Sequence, residues 1–207
     1  YMRFLDSSKT EREAVETAVA AAEAAGFTPY KLGDTVKVGD CRYLNNRGKS
    51  VILFRVGSES LNCGVRITAA HIDSPRMDLK QQPLYEADGM AFFKTHYYGG
   101  LRKYQWTAMP LALHGVVVRA DGEVVRVRIG EDAGDPVFYI NDLLPHLAAA
   151  QSKEPLASAI KGEDLNLLCG SAPLAGEEED AIKKNVLKLL HEKYGITEAD
   201  FVSAELE

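Results

Sequence analysis

The sequence predicts an α/β domain that is interrupted by a β-rich segment. An amphipathic helical pattern followed by strand patterns opens the chain, strand patterns without helices fill its middle, and a helical pattern returns after Gly176. An insertion into an α/β domain would produce this order of elements. With 207 residues and 46% hydrophobic content, the chain is long enough to bury a core of its own.

The first helix is predicted to begin after Thr10. Thr10 and Glu13 have the spacing of a capping box, in which each side chain accepts a hydrogen bond from the backbone amide of the other residue. Gly26 can adopt the left-handed conformation that ends a helix. The small apolar side chains that recur at helical spacing between these ends are Val15, Ala18, Val19, Ala22 and Ala25.

Strand patterns follow this helix. Residues 41–44 and 50–56 predict a β-hairpin, joined through a loop that contains Gly48. Residues 65–70 form a nearly continuous apolar run, which is typical of a strand buried on both faces. The first part of the chain therefore predicts a helix, a hairpin and a central strand.

The middle of the chain has the pattern of an all-β region. Residues 91–98, 111–119 and 123–129 are strand-like, and Ala120-Asp121-Gly122 is a strong hairpin signal between the last two. Consecutive strands of this kind favour a small antiparallel sheet or barrel. We place the boundaries of this region at residues 85 and 172.

A second helix and a strand are predicted for residues 173–207. The helix has acidic residues in its first turn and ends at Gly195, and residues 201–207 then alternate as in a strand. The apolar face of the helix consists of Ile182, Val186, Leu189 and Leu190.

Composition excludes several classes of protein. The net charge is −6, from 24 Lys and Arg against 30 Asp and Glu, and no basic stripe could follow a phosphate backbone, so we expect no nucleic-acid partner. No apolar run is long enough to span a bilayer, and we expect no membrane partner. The three cysteines, Cys41, Cys63 and Cys169, form no Cys-x-x-Cys pair, which favours a reducing, cytoplasmic location.

His71 and Asp73 are the candidate site. In an extended chain their side chains point to the same face, so the carboxylate can accept a hydrogen bond from one imidazole nitrogen and leave the other free for a metal ion. They also follow a predicted buried strand, and ligands bind at such strand ends in open α/β sheets. An ordinary satisfied polar pair is equally compatible with the spacing.

A longer stretch around this pair resembles a known family. Residues 69–75, Ala-Ala-His-Ile-Asp-Ser-Pro, resemble the His-x-Asp-Ser-Pro segment of the M18 family of metalloaminopeptidases, the group that includes aspartyl aminopeptidase. Further segments that resemble that family, especially its bacterial members, are residues 4–6, 10–13, 98–100, 145–147 and 201–206. The resemblance covers essentially the whole chain.

The resemblance implies a fold and an activity. Members are dizinc exopeptidases whose αβα catalytic domain is interrupted by a β-rich, barrel-like domain used for oligomerisation, often in shells of twelve subunits. It implies that residues 1–84 and 173–207 belong to the catalytic domain and that residues 85–172 are the inserted domain. A zinc-activated water would remove N-terminal residues from peptide substrates.

The resemblance also implies roles for three residues. His71 would bind zinc, and Asp73 would orient the His71 imidazole. His146 would reach into the active site of a neighbouring subunit of a homo-oligomer. The other carboxylate and histidine ligands of two zinc ions and the general base have no counterpart here. Glu177-Glu178-Glu179 is better interpreted as the acidic start of a helix. The chain is therefore expected to be the N-terminal part of such an enzyme, partnered by the remainder of the catalytic chain.

A second hypothesis belongs to another class of protein. The chain could be a noncatalytic assembly module that keeps the β insertion, oligomerises and holds no zinc. The two hypotheses differ in whether a longer protein or a second polypeptide supplies the missing ligands.

Overall fold

The structure is a computed structural model that describes residues 1–207. The chain folds into two compact units, and the boundary between them lies between Ser74 and Pro75. The first unit consists of residues 1–74. Its helices and strands are α1 (Met2–Asp6), α2 (Glu11–Ala24), β1 (Thr28–Pro29), β2 (Cys41–Asn46) and β3 (Ser50–Arg55), followed by a 3₁₀ turn (Leu61–Cys63).

Helix α2 begins and ends as the sequence predicts. The Glu13 amide donates to the Thr10 hydroxyl at 3.2 Å, and the Glu13 carboxylate accepts the Thr10 amide, also at 3.2 Å. At the other end Gly26 has a φ of +87° and the Phe27 amide bonds to the Ala22 carbonyl, which closes the last turn. The capping box and the glycine terminator are both confirmed.

The sheet of the first unit is built around the predicted hairpin. Its strand order is β1-β2-β3, with β1 parallel and β3 antiparallel to β2. The hairpin is confirmed, since Asn46 pairs with Ser50 across a three-residue turn in which Arg47 and Gly48 both have positive φ. Helix α2 packs against β2 and β3.

The prediction of a buried strand at residues 65–70 is wrong for this structure. These residues form neither helix nor strand, and all six are exposed. An apolar run becomes a buried strand only where neighbouring strands pair with it and other elements cover its faces. No such elements surround this segment in the first unit.

The second unit consists of residues 75–207. Its ten regular elements, apart from short 3₁₀ turns, are β4 (Arg76–Ala87), β5 (Met90–Tyr98), β6 (Pro110–Leu111), β7 (Leu113–Val118), β8 (Val124–Ile129), β9 (Phe138–Tyr139), β10 (Leu167–Gly170), α3 (Ala181–Tyr194), a 3₁₀ helix (Glu198–Ser203) and β11 (Ala204–Leu206).

Two antiparallel sheets form this unit. A five-stranded sheet has the order β4-β5-β10-β9-β6, and a three-stranded sheet has the order β11-β7-β8. The strong hairpin signal at residues 120–122 is confirmed, because the Arg119 amide bonds to the Glu123 carbonyl across it. The expected boundary at residue 84 lies within β4, whose pairing with β5 begins at Arg76. The assignment of chain segments to a catalytic and an inserted domain stays a prediction.

Helix α3 has its N-terminus held by a distant side chain. The helix begins at Ala181, so Glu177-Glu178-Glu179 precedes it and does not form its first turn, which corrects the sequence interpretation. The Glu86 carboxylate on β4 accepts hydrogen bonds from the Ile182 and Lys183 amides, both at 2.9 Å. Gly195, with a φ of +66°, ends the helix as predicted.

The C-terminal strand is shorter than the sequence predicts. Residues 201–203 belong to a 3₁₀ helix, and pairing with β7 begins only at Ala204. A capping box between Thr197 and Asp200 starts the 3₁₀ helix, and this local signal overrides the alternating pattern. Strand β11 passes so close to β7 that a Cβ on Gly115 would collide with the Glu205 carbonyl.

The core of the second unit lies between its sheets and α3. Phe93 on β5 is 1% exposed, and its ring centroid lies 6.1 Å from that of Phe138 and 5.8 Å from that of Phe201. Helix α3 contributes Ile182, Val186 and Leu190 to the same cluster, whereas Leu189, which the helical pattern also placed on this face, is exposed. The mixed α/β class with a β-rich second part is confirmed. No helix has both the length and the apolar character needed to cross a bilayer.

Candidate functional site

The structure brings His71 and Asp73 together. His71 Nδ1 lies 3.1 Å from Asp73 Oδ1 and 3.0 Å from the Asp73 carbonyl oxygen. The pair lies just after residues 65–70, in a segment without regular structure, and the His71 side chain is 83% exposed. The predicted contact across one intervening residue is therefore present although the predicted strand is not.

This contact determines what the imidazole can do. With both acceptors on one side of the ring, the neutral imidazole places its proton on Nδ1, which donates to Asp73. Nε2 then carries the lone pair and is the nitrogen that can bind a metal ion. The carboxylate also holds the ring orientation, as carboxylates do for many metal-binding histidines.

A single histidine is too few ligands for a metal centre. A catalytic zinc ion usually takes three protein ligands, and nowhere in the chain do three His, Cys, Asp or Glu side chains lie close enough together to hold a metal ion. The donor set of this chain therefore fits zinc as one ligand with its carboxylate partner, and not as a complete site.

The cysteines give no alternative thiolate site. All three are free. Burial raises the pKa of the Cys169 thiol to about 12, so this thiol stays protonated at neutral pH. A thiolate is the form that binds metal. Cys169 is better explained as a side chain packed against the hydrophobic core of the second unit.

His146 lies in the second unit, in an exposed turn over residues 145–147. No metal-binding side chains cluster around it. The acidic run Glu177-Glu178-Glu179 is also exposed, and Glu177 forms an ion pair with Lys184. Neither feature forms a site within this chain. Of the other histidines, only His114 is buried, with Nε2 3.2 Å from Glu131 Oε1.

The second unit contains a cavity that no sequence motif predicts. It measures about 900 Å³, and both Lys103 and Lys161 contribute to its wall beside Asp142 and Asp164. The residues that line it are spread over some sixty positions of mostly irregular chain, so no motif could have indicated it. Its mixed charges do not select one class of ligand.

The chain is similar to known proteins over its full length. The sequence model of a family described as aminopeptidase I zinc metalloprotease (M18) matches residues 4–207. The chain is 51% identical over 212 residues to a probable M18 family aminopeptidase 1 from Clostridium acetobutylicum, covering all of this chain and 46% of that protein. A probable M18 family aminopeptidase 1 from Thermotoga maritima is 47% identical over 209 residues, again over all of this chain and 45% of that protein.

The fold agrees with these matches. The crystal structure of an M18 family aminopeptidase from Thermotoga maritima superposes with a TM-score of 0.94 at 46% identity, and the match covers 100% of this chain and 45% of that one. The chain thus spans less than half the length of the relatives that it matches.

Proposed function

Because the chain belongs to the M18 family of zinc metalloproteases, we propose that it forms part of an aminopeptidase that removes N-terminal residues from peptides. The observation that carries this proposal is the His71–Asp73 hydrogen bond within the matched region 4–207. It is the one place in the chain where a histidine has a carboxylate partner and an exposed second nitrogen.

His71 is the metal ligand of this proposal. Two zinc ions would supply a water of lowered pKa and would polarise the scissile carbonyl. His71 would donate the Nε2 lone pair to one of them. Asp73 would keep the proton on Nδ1 and hold the ring in place, which makes it a positioning residue.

The remaining ligands and the general base would come from polypeptide beyond these residues. Two observations support this origin of the missing ligands. The site contains one histidine, whereas a catalytic zinc ion usually takes three protein ligands. The M18 relatives are also more than twice as long as this chain. We therefore propose the remainder of the catalytic chain as the partner of the first unit.

His146 would act in a homo-oligomer. Its exposed turn leaves the imidazole accessible to a neighbouring subunit, where it would reach the active site and contact the substrate. Oligomerisation through the β-rich part, with a dodecamer as one form, belongs to the same proposal. A cytoplasmic location is supported by the three unpaired cysteines.

One observation favours a second function. The absence of any three-ligand cluster is what a noncatalytic assembly module would have, if residues 1–207 act by themselves. Such a module would self-associate, hold no zinc and hydrolyse no peptide.

The test compares the two proposals in a full-length protein that contains these residues. His71→Ala should lower the zinc content, measured by mass spectrometry of bound metal, and nearly abolish hydrolysis of an aminoacyl substrate. Asp73→Asn should retain part of the zinc and lose about 10- to 100-fold in activity, because it removes only the orienting carboxylate. His191→Ala, an exposed histidine on α3, is the matched control. Full activity of the His71 variant would refute the assignment, and a zinc-free, inactive parent protein would favour the assembly module.

A further inference from the structure

Arg76 lies in a network of charged and aromatic side chains at the start of β4. Its Nε atom lies 2.8 Å from Asp78 Oδ1 and 2.5 Å from Glu207 Oε2, so both carboxylates meet the same side of the guanidinium. The guanidinium carbon also lies 4.5 Å from the centre of the Tyr98 ring on the neighbouring strand β5. The Arg76 and Glu207 side chains are only 20% and 11% exposed, so their ion pair is screened less than a pair at the surface.

Glu207 is itself held in place through its backbone. Its amide donates to the His114 carbonyl at 2.8 Å, and its carbonyl accepts the His114 amide at 2.7 Å. His114 lies on β7, the central strand of the three-stranded sheet, whereas Arg76 belongs to the five-stranded sheet. The Arg76–Glu207 ion pair therefore joins the two sheets at the point where the first and last residues of the second unit come together.

The chain between His71 and Arg76 has few free torsions. Pro75 has its φ fixed by its ring, and it keeps the residue before it extended. It also rests on the backbone of Gly99, where an added Cβ would lie 3.5 Å from three Pro75 atoms. Asp73 contacts His71 Nδ1 through both its carboxylate and its carbonyl oxygen. A displacement of the Arg76 backbone would therefore be passed on to the His71 imidazole.

We propose that Arg76 is a positioning residue for the metal site and that it acts through Glu207. The M18 relatives match this chain with their N-terminal portions, so their polypeptide continues past the position of Glu207. In the proposed function, on which this inference rests, the remaining zinc ligands come from that continuation. The ion pair then holds together two segments that lead to ligands, one just before Arg76 and one after Glu207.

Zinc binding by the full-length protein tests this role without an assay of activity. The dissociation constant for zinc is measured by competition with a chromogenic chelator. Arg76→Gln should weaken zinc binding roughly 3- to 30-fold, as expected for a residue that influences a site without touching its ligand. Arg76→Lys should recover part of this loss, because an ammonium keeps the charge but cannot meet two carboxylates and stack on a ring at once.

The matched control is Arg119→Gln. Arg119 also forms an ion pair with a glutamate in the second unit, with 2.6 Å between Arg119 Nη1 and Glu123 Oε2. This pair lies at a hairpin turn, and no contact links it to the start of β4. Arg119→Gln should therefore leave zinc binding unchanged.

Kinetics separate positioning from simple stabilisation of the fold. At a temperature well below the Tm of every variant, Arg76→Gln should lower kcat roughly 3- to 30-fold and change KM little. A displaced metal ligand weakens stabilisation of the transition state and leaves the contacts of the bound substrate intact. A residue that only stabilises the fold would lower Tm and leave zinc affinity and kcat at the values of the parent protein.

A double-mutant cycle tests the route through Glu207. Glu207→Gln removes the charge with little change in size and should weaken zinc binding as Arg76→Gln does. The double variant should lose no more than either single variant, because one substitution already breaks the pair. Glu207→Gln also supplies the test should Arg76→Gln fail to fold.

The outcomes separate this inference from the proposed function. Parent values of zinc affinity and kcat in Arg76→Gln, with only Tm lowered, would overturn the inference and leave Arg76 with a purely structural role. Losses that add in the double variant would overturn the route through Glu207. A parent protein that binds no zinc and cleaves no peptide would refute the proposed function itself, and the inference with it.

Discussion

Glu86→Ala is the substitution whose effect follows most directly from the structure. Asp180, the residue before helix α3, lies in the left-handed region at a φ of +50°, and its side chain makes no capping hydrogen bond to the helix. Glu86 accepts the Ile182 and Lys183 amides at 2.9 Å, which are the two amides that an ordinary N-cap side chain would satisfy. The substitution leaves both donors without their acceptor.

Two contributions set the loss of stability in Glu86→Ala: the lost N-cap acceptor and the lost negative charge. Loss of an N-cap acceptor costs about 1 kcal/mol, and loss of a negative charge at a helix N-terminus costs a further 0.3–1 kcal/mol or so. A total of about 1.3–2 kcal/mol corresponds to a decrease in Tm of roughly 3–8 °C for a chain of this length. Thermal unfolding followed by circular dichroism at the helix band measures it.

The control is Glu178→Ala, which removes an exposed glutamate close to the same helix end. It should change Tm by less than about 1 °C, because surface substitutions away from specific contacts have small effects. Glu86→Gln should fall between the two, since an amide oxygen still accepts but carries no charge. Equal melting of the Glu86→Ala and Glu178→Ala proteins would refute the capping argument.

Three further predictions concern other parts of the molecule. His146→Ala in the full-length protein should lower turnover and leave the zinc content unchanged. Unchanged kinetics would show that His146 is a surface residue with no role in turnover. The Gly130 amide, helped by the Lys193 ammonium, holds the pKa of Asp135 below its usual value. Asp135 therefore stabilises the fold above the unfolded pKa of about 3.9, and this contribution is lost as the pH falls through the lower folded pKa. Asp135→Asn should lower Tm at pH 7, and the two melting curves should converge in acid; a constant difference across that range would contradict this. Burial raises the pKa of Cys169 to about 12, so at pH 8 iodoacetamide should label exposed Cys63 and spare Cys169 until the chain unfolds, as peptide mass spectrometry would detect.

Features that depend on neighbours in the chain were predicted well. The capping box at Thr10 and Glu13 needs only a spacing of three residues, and Gly26 and Gly195 end their helices by their own backbone freedom. The hairpin turns at residues 47–48 and 120–122 are equally local. The His71–Asp73 contact belongs to this group, since two residues that are two positions apart can meet whatever surrounds them.

Features that need distant partners were missed or mispredicted. Glu86 caps a helix that begins about a hundred positions later, and no motif links the two. Residues 201–203 alternate like a strand but follow a capping box, and the local box prevailed. The apolar pattern of residues 65–70 has no covering elements in this chain, so the strand that it predicts does not form.

The sequence by itself determined both ends of α2, the C-terminal end of α3, the two hairpins, the family of the chain and the pairing of His71 with Asp73. Each of these depends on residue types within a few positions, or on many residues along the whole chain taken together. Only the tertiary structure decided the order of the strands, the cap on α3 and the exposure of residues 65–70. These features are set by which surfaces meet in space, because the free energy of burial depends on neighbours that a pattern of residues does not specify.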